Sequence, residues 1–94
     1  MQIYYTYLFD YYSELFTDKQ KDYFKDYYFN NLTLQEIADN NNVSKNAVHK
    51  NIKEIEKKLE YYESKLKLYS NKQKIEDLIV NLDKDLKDKI EELI

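Results

Sequence analysis

Ninety-four residues set the scale at one small domain. The chain has no glycine, proline or cysteine, which excludes glycine-built phosphate loops, disulfides, thiolate zinc sites and a cysteine nucleophile, and removes the residue that hairpin turns favour. Eighteen acidic residues against 15 basic ones, every one a lysine, give a formal net charge of −3, and no window approaches the roughly 18 apolar residues of a membrane span. Composition therefore predicts a soluble, cytoplasmic, helical protein without membrane insertion. The 11 tyrosines, in a chain rich in Lys, Asn and Ile, read as AT-rich coding bias combined with core packing.

Apolar residues recur at helical spacing almost throughout. Leu8, Tyr11 or Tyr12, and Leu15 place a first amphipathic helix over Ile3 to Phe16. Thr17-Asp18-Lys19-Gln20 has the form of a capping box and opens a second helix from Asp18 to about Phe29, with an aromatic face of Tyr23, Phe24, Tyr27 and Tyr28. Asn30-Asn31 ends it. Thr33-Leu34-Gln35-Glu36 repeats the box and opens a short helix carrying Ile37 and Ala38. The run Asn40-Asn41-Asn42 closes that helix, since asparagine is the best substitute for glycine in a left-handed cap. Ser44 caps the next helix.

From Ser44 the apolar steps tighten into Val48, Ile52, Ile55, Leu59, Tyr62, Leu66 and Tyr69, a heptad seam. A helix of about 25 residues reaches roughly 37 Å, too long to be buried wholly in so small a domain. Ser70-Asn71-Lys72-Gln73 reads as another capping box, followed by Ile75, Leu78, Leu82, Leu86, Ile90 and Leu93 on a last helix. The expected fold is an all-α helix-turn-helix bundle of about five helices, with a long fourth helix and a C-terminal helix on its seam. Residues 1–69 form the main unit and 70–94 a packing or dimerisation helix. Cover for Ile55, Leu59, Tyr62 and Leu66 comes from that helix folded back as a hairpin or from a second subunit, and isologous pairing predicts a homodimer.

Charge is segregated. Residues 44–58 carry 5 lysines and 2 acids, whereas 1–39 and 59–94 are both acidic on balance. The basic segment coincides with residues 34–53, which meet the physical requirements of a helix-turn-helix: Ile37 and Val48 as core contacts, Ala38 at the close approach, Val43 plugging the turn, and Ser44 starting the second helix. The free face of that helix carries Ser44, Lys45, Asn46, His49, Lys50 and Lys53. Lysine serves phosphates or guanine edges, asparagine bonds adenine, and Ser44 with the helix N-terminal amides reaches phosphate. Asn42 takes the turn position usually held by glycine, and Asn41 stands at a position usually apolar.

The combination Leu8-Phe9-Asp10-Tyr11-Tyr12, Leu15-Phe16-Thr17-Asp18-Lys19-Gln20, Tyr23-Phe24, Tyr27-Tyr28, Leu32-Thr33-Leu34-Gln35-Glu36-Ile37-Ala38, Val43-Ser44, Ala47-Val48, Asn51-Ile52-Lys53 and Leu59 to Leu66 resembles the YlxM family of small bacterial helix-turn-helix proteins. That family is similar to region 4 of sigma factors and associated with the signal recognition particle. The resemblance implies a wingless helix-turn-helix DNA-binding regulator, with duplex DNA or components of the signal recognition particle as partners. An adaptor that contacts the particle's protein or RNA without binding DNA is the second reading.

His49 is the only histidine, so a single chain assembles no ordinary His or Cys metal site, and no cofactor is expected. Asp18, Asp22 and Asp26 share a helix row, but the interleaved Lys21 and Lys25 read as a solvated face. Glu54, Glu56, Lys57 and Lys58 read as another such flank, with Glu54 and Lys58 paired across one turn. No serine lies beside an identifiable base, so catalysis is not expected.

Overall fold

Side-chain caps fix the helices of the first half. The computed structural model describes residues 3–94; Met1 and Gln2, at the head of the expected 1–69 unit, lie outside the described residues. Helix α1 covers Ile3–Tyr12 and tightens into a 3-10 turn at Ser13–Leu15, so the α-helix expected to reach Phe16 stops four residues earlier. Helix α2 spans Asp18–Tyr28, and its capping box is complete: the Thr17 hydroxyl accepts from Gln20 N at 3.2 Å, and Gln20 Oε1 accepts from Thr17 N at 2.9 Å. Helix α3, Leu34–Asn41, opens with the same reciprocal pair between Thr33 and Glu36. Helix α4, Lys45–Leu66, starts from Ser44, whose hydroxyl accepts from Ala47 N at 3.0 Å.

Among the described residues three take left-handed backbone in place of the missing glycines: Asn31, Asn42 and Lys67, with φ of 55–56°. The two asparagines fall in the runs expected to end helices. Lys67 does not, and it breaks the expected 25-residue helix. Helix α5, Leu68–Ile79, begins directly after it, and α6 covers Lys84–Glu92 from an Asp83 cap. The described residues thus form six α-helices and no strand.

A single core joins α1 to α4. Leu8, Phe9, Tyr12, Phe16, Tyr23, Phe24, Ile37, Ala38, Val48, Ile52, Ile55 and Leu59 are all buried in one cluster. At roughly 1.5–3 kcal/mol per large apolar side chain removed from water, this cluster supplies most of the driving force for folding. Phe9 stacks on Phe24 with ring centroids 4.1 Å apart, and Phe24 on Tyr28 at 4.4 Å.

The long helix is covered differently from expectation. Ile55 and Leu59 share the core with Leu8, Phe9 and Tyr12 of α1, while α5 turns back against α1 through Tyr69, which meets the rings of Tyr4, Tyr7 and Tyr11. Beyond Tyr69, only Ile79 of α5 is buried, and α6 has no buried residue. That arrangement draws the molecule out to 54 × 25 × 23 Å.

Tyrosine hydroxyls lock α1 and α2 to α4. Tyr5 donates to Glu60, Tyr28 to Glu56, and Tyr12 to Glu63 at 2.6 Å. Glu56 and Glu63 are buried, so the reading of Glu56 as part of a solvated flank is corrected. Lys53 reaches Glu56 at 3.3 Å, supplying the charge that the buried carboxylate needs. Glu63 also ends one helix pair and starts another. Its oxygens accept from Tyr69 N at 3.1 Å and Ser70 N at 2.9 Å, while the Tyr12 hydroxyl accepts from Leu68 N at 3.1 Å. The α5 N-terminus is therefore capped by a carboxylate from α4 and a phenol from α1. The capping box expected at Ser70 is not formed, because Ser70 lies inside a helix already capped from outside.

Candidate nucleic-acid interface

Helices α3 and α4 are joined by Asn42, Val43 and Ser44, within the three-to-four-residue connection that sets a helix-turn-helix crossing. Asn42 closes α3 at φ 56°, ψ 43°, its N–H bonded to Ala38 O, and Val43 N donates to the same carbonyl at 3.1 Å. This is the left-handed termination that glycine commonly provides. Ile37, Ala38 and Val48 are fully buried where the helices approach. Val43 is not the plug expected, being 40% exposed.

Asn41, on the last turn of α3, explains the loss of an apolar residue there. Its amide donates to Ile37 O at 2.7 Å, and its side-chain oxygen accepts from Lys19 of α2. A polar tie between α2 and α3 stands where an apolar contact was expected.

The six proposed contact residues divide cleanly. Lys45, Asn46, His49, Lys50 and Lys53 are all exposed, while Val48, Ile52 and Ile55 on the other side of the helix are buried. Positions 46, 49, 50 and 53 recur at three and four residues and share one face. Lys53 is partly committed through its pairing with Glu56. Ser44 is exposed but uses its hydroxyl as the cap, leaving the Lys45 and Asn46 amides at the helix end, where the macrodipole favours an anion.

One member was missed. Lys57 lies two turns beyond Lys50 on the same helix and is exposed. The signal was the seven-residue step from Lys50, which the assignment of Lys57 to a neutral charged flank obscured. The helix thus presents Lys45, Lys50, Lys53 and Lys57 with Asn46 and His49 between them. Among the described residues no three His, Asp or Glu side chains converge as a metal site, and no helix is long and apolar enough to cross a membrane.

The four seam residues are also separated. Ile55 and Leu59 are fully enclosed, Tyr62 is half-buried against Tyr12 and Phe16, and Leu66 is 50% exposed.

A right-sized turn between a short helix and a longer one agrees with the description of the family whose model matches the chain. The model described as "UPF0122: Putative helix-turn-helix protein, YlxM / p13 like" covers residues 1–94. The chain belongs to the UPF0122 family. Its similarity to a UPF0122 protein of Malacoplasma penetrans is 59% identity over 46 residues, 49% of this chain and 43% of the relative. Against one from Fusobacterium nucleatum it is 52% over 46 residues, 49% of this chain and 45% of the relative. A UPF0122 protein of Shouchella clausii is 50% identical over 50 residues, 53% of this chain and 46% of the relative. The matched segments take in less than half of each relative's length. UPF0122 is described as a helix-turn-helix family and not as an enzyme family.

Proposed function

We propose that this UPF0122 chain binds duplex DNA, seating the exposed face of α4 in the major groove and acting as a regulator. One observation carries the reading: four lysines, an asparagine and a histidine line the solvent side of the helix that follows the turn, while its opposite side is core. Lys45, Lys50, Lys53 and Lys57 supply phosphate contacts, Asn46 can pair with adenine, and His49 is positioned to touch a base or phosphate. Without arginine, lysine acts as a point charge lacking the bidentate fork, so affinity rests on phosphates and sequence selectivity is low.

Fluorescence anisotropy with a labelled duplex tests this. Lys45→Glu/Lys50→Glu should lose binding while keeping wild-type helicity. Unchanged binding by that folded variant rules the interface out.

We place the protein in the cytoplasm as a homodimer, which would present two α4 helices to successive half-sites. Since Ile55 and Leu59 are enclosed within one chain, the contact falls on α5 and α6. Leu78, Val80, Leu86 and Leu93 are 80%, 60%, 48% and 84% exposed there, and a nine-residue helix without cover is marginal in water. Light scattering should give twice the 11.6 kDa chain mass; a mass of one chain removes the dimer.

A second reading is favoured by the acidic, tyrosine-rich remainder of the chain outside the basic segment 44–58. There the protein acts as an adaptor for components of the signal recognition particle. A pull-down recovering neither the particle's protein nor its RNA removes that reading.

A further inference from the structure

A cleft of about 520 Å³ lies between α1 and α5, away from the DNA-facing helix end. Tyr7, Asp10 and Tyr11 form one wall, Tyr69, Lys72, Gln73 and Glu76 form the other, and Ile94 also lines the cleft. Its volume falls within the range of small-ligand sites. Because α5 begins where α4 ends, the 22 residues of α4 separate the cleft from Lys45 by roughly 30 Å. A partner held there would not compete with DNA for space.

The lining selects a ligand by chemistry. Tyr7 and Tyr69 lie nearly parallel, 11° between planes and 5.8 Å between centroids, and Tyr11 meets Tyr69 at 66°. Tyr7 is 45% exposed, so an aromatic face is open to a cation. Asp10 has neither a hydrogen bond nor an ion pair among the described residues, and Glu76 has only Lys72 at 4.0 Å, the outer limit of an ion pair. From residue 3 to residue 16 the charged side chains are Asp10 and Glu14; Glu14 pairs with Lys21 at 3.8 Å, whereas Asp10 has no such pair among the described residues. Asp10 and Glu76 outnumber Lys72, the one cation on the lining among the described residues, so an anion is disfavoured, and a wholly apolar ligand would leave Asp10 desolvated without a partner.

A flat cation that stacks on tyrosine while forking to a carboxylate satisfies both walls, and that is a guanidinium. The chain contains no arginine, so a guanidinium seated here comes from another molecule.

We propose that the α1–α5 cleft binds an arginine side chain presented by an exposed basic segment of a partner protein. Asp10 and Glu76 hold the guanidinium, and Tyr7 stacks on it. The proposal stands apart from the DNA reading, since its test contains no nucleic acid.

The experiment is an amide NMR titration of the whole chain at low salt with the peptide acetyl-Gly-Arg-Gly-amide, alongside its citrulline and lysine counterparts. Citrulline keeps the planar shape and removes the charge; lysine keeps the charge and removes the plane. The arginine peptide should give saturable shifts confined to residues 7, 10, 11, 69, 72, 73 and 76, with the other two at least several-fold weaker. Asp10→Asn and Glu76→Gln, both exposed or half-exposed positions that leave the core intact, should each weaken binding about tenfold. Equal shifts with citrulline, equal affinity for lysine, shifts spread over the acidic surface, or unchanged affinity in both variants would each overturn the proposal.

Discussion

Replacing Tyr12 by phenylalanine removes one oxygen, and the consequence can be worked from its contacts. That hydroxyl donates to Glu63 at 2.6 Å and accepts from Leu68 N at 3.1 Å, in a residue only 1% exposed. Loss of a charge-assisted bond to a buried carboxylate costs about 1.5–3 kcal/mol. The orphaned Leu68 amide adds less than a buried one would, because Leu68 is 45% exposed and water can reach it. The expected total is about 2–4 kcal/mol, a large share of the roughly 5–15 kcal/mol that holds a domain of this size. Urea unfolding followed by circular dichroism measures it, and amide exchange should rise first at Leu68 to Ser70. Tyr12→Phe within about 0.5 kcal/mol of wild type, or exchange unchanged at those amides, would refute the idea that the phenol and Glu63 together hold α5. Acid gives an independent reading. Burial pushes the Glu63 carboxyl up, but the Tyr12 hydroxyl and the Ser70 and Tyr69 amides outweigh it, leaving it below its ordinary value of 4.5. A lowered folded value means the stabilisation is present above pH 4.5 and lost as pH falls through the folded value. Glu63→Gln should flatten that part of the stability curve.

At the other extreme of pH, burial and the bond to Glu63 raise Tyr12 to about 12, and the bond to Glu60 with burial raises Tyr5 to about 12. Burial followed by the bond to Glu56 pushes Tyr28 higher still. Their contribution is intact below pH 10 and lost as pH climbs through about 12, so tyrosinate absorbance and loss of helix should rise together; helix that persists after these phenols ionise would contradict the locks. Asn42→Val should cost about 1–2 kcal/mol, because a β-branched residue is strained at φ 56°, whereas Asn42→Gly should be tolerated; equal denaturation midpoints for the two variants would count against the turn. Leu59→Ala should lose about 2–5 kcal/mol with no change of assembly mass; a change of mass at constant stability would return the seam to a subunit interface.

Much of the fold was legible because its signals are local. The Thr17 and Thr33 boxes, the Ser44 cap and the Asn42 turn each depend on residues within four positions, and the structure forms all of them. What was hidden depends on distant partners. Ser70 opened no box because Glu63, seven residues earlier, had already taken its amide. Lys67 gives no left-handed signal of its own. The tyrosine locks were half visible: Glu56, Glu60 and Glu63 follow the same four-three step as the apolar seam, one position behind Leu59 and Tyr62, and Tyr5 and Tyr12 are two helical turns apart. Of that stripe only Glu56 falls in the expected solvated flank, and a tyrosine-rich neighbour makes it an interface instead. The last helix divides at the turn of Asn81 and Leu82, and the cap at Asp83 was a signal passed over. At the basic face, sequence was sufficient for exposure, since alternate sides of one helix are fixed by its apolar period.

The central claim is that α4 binds DNA through its lysines, and the salt dependence of duplex affinity tests it most directly. Four phosphate contacts predict a loss of roughly 10²-fold in affinity between about 50 and 200 mM salt, with a shallower slope once Lys45 and Lys50 are reversed in charge. Absence of binding at the lower salt, or a salt slope that the double variant leaves unchanged, would contradict it.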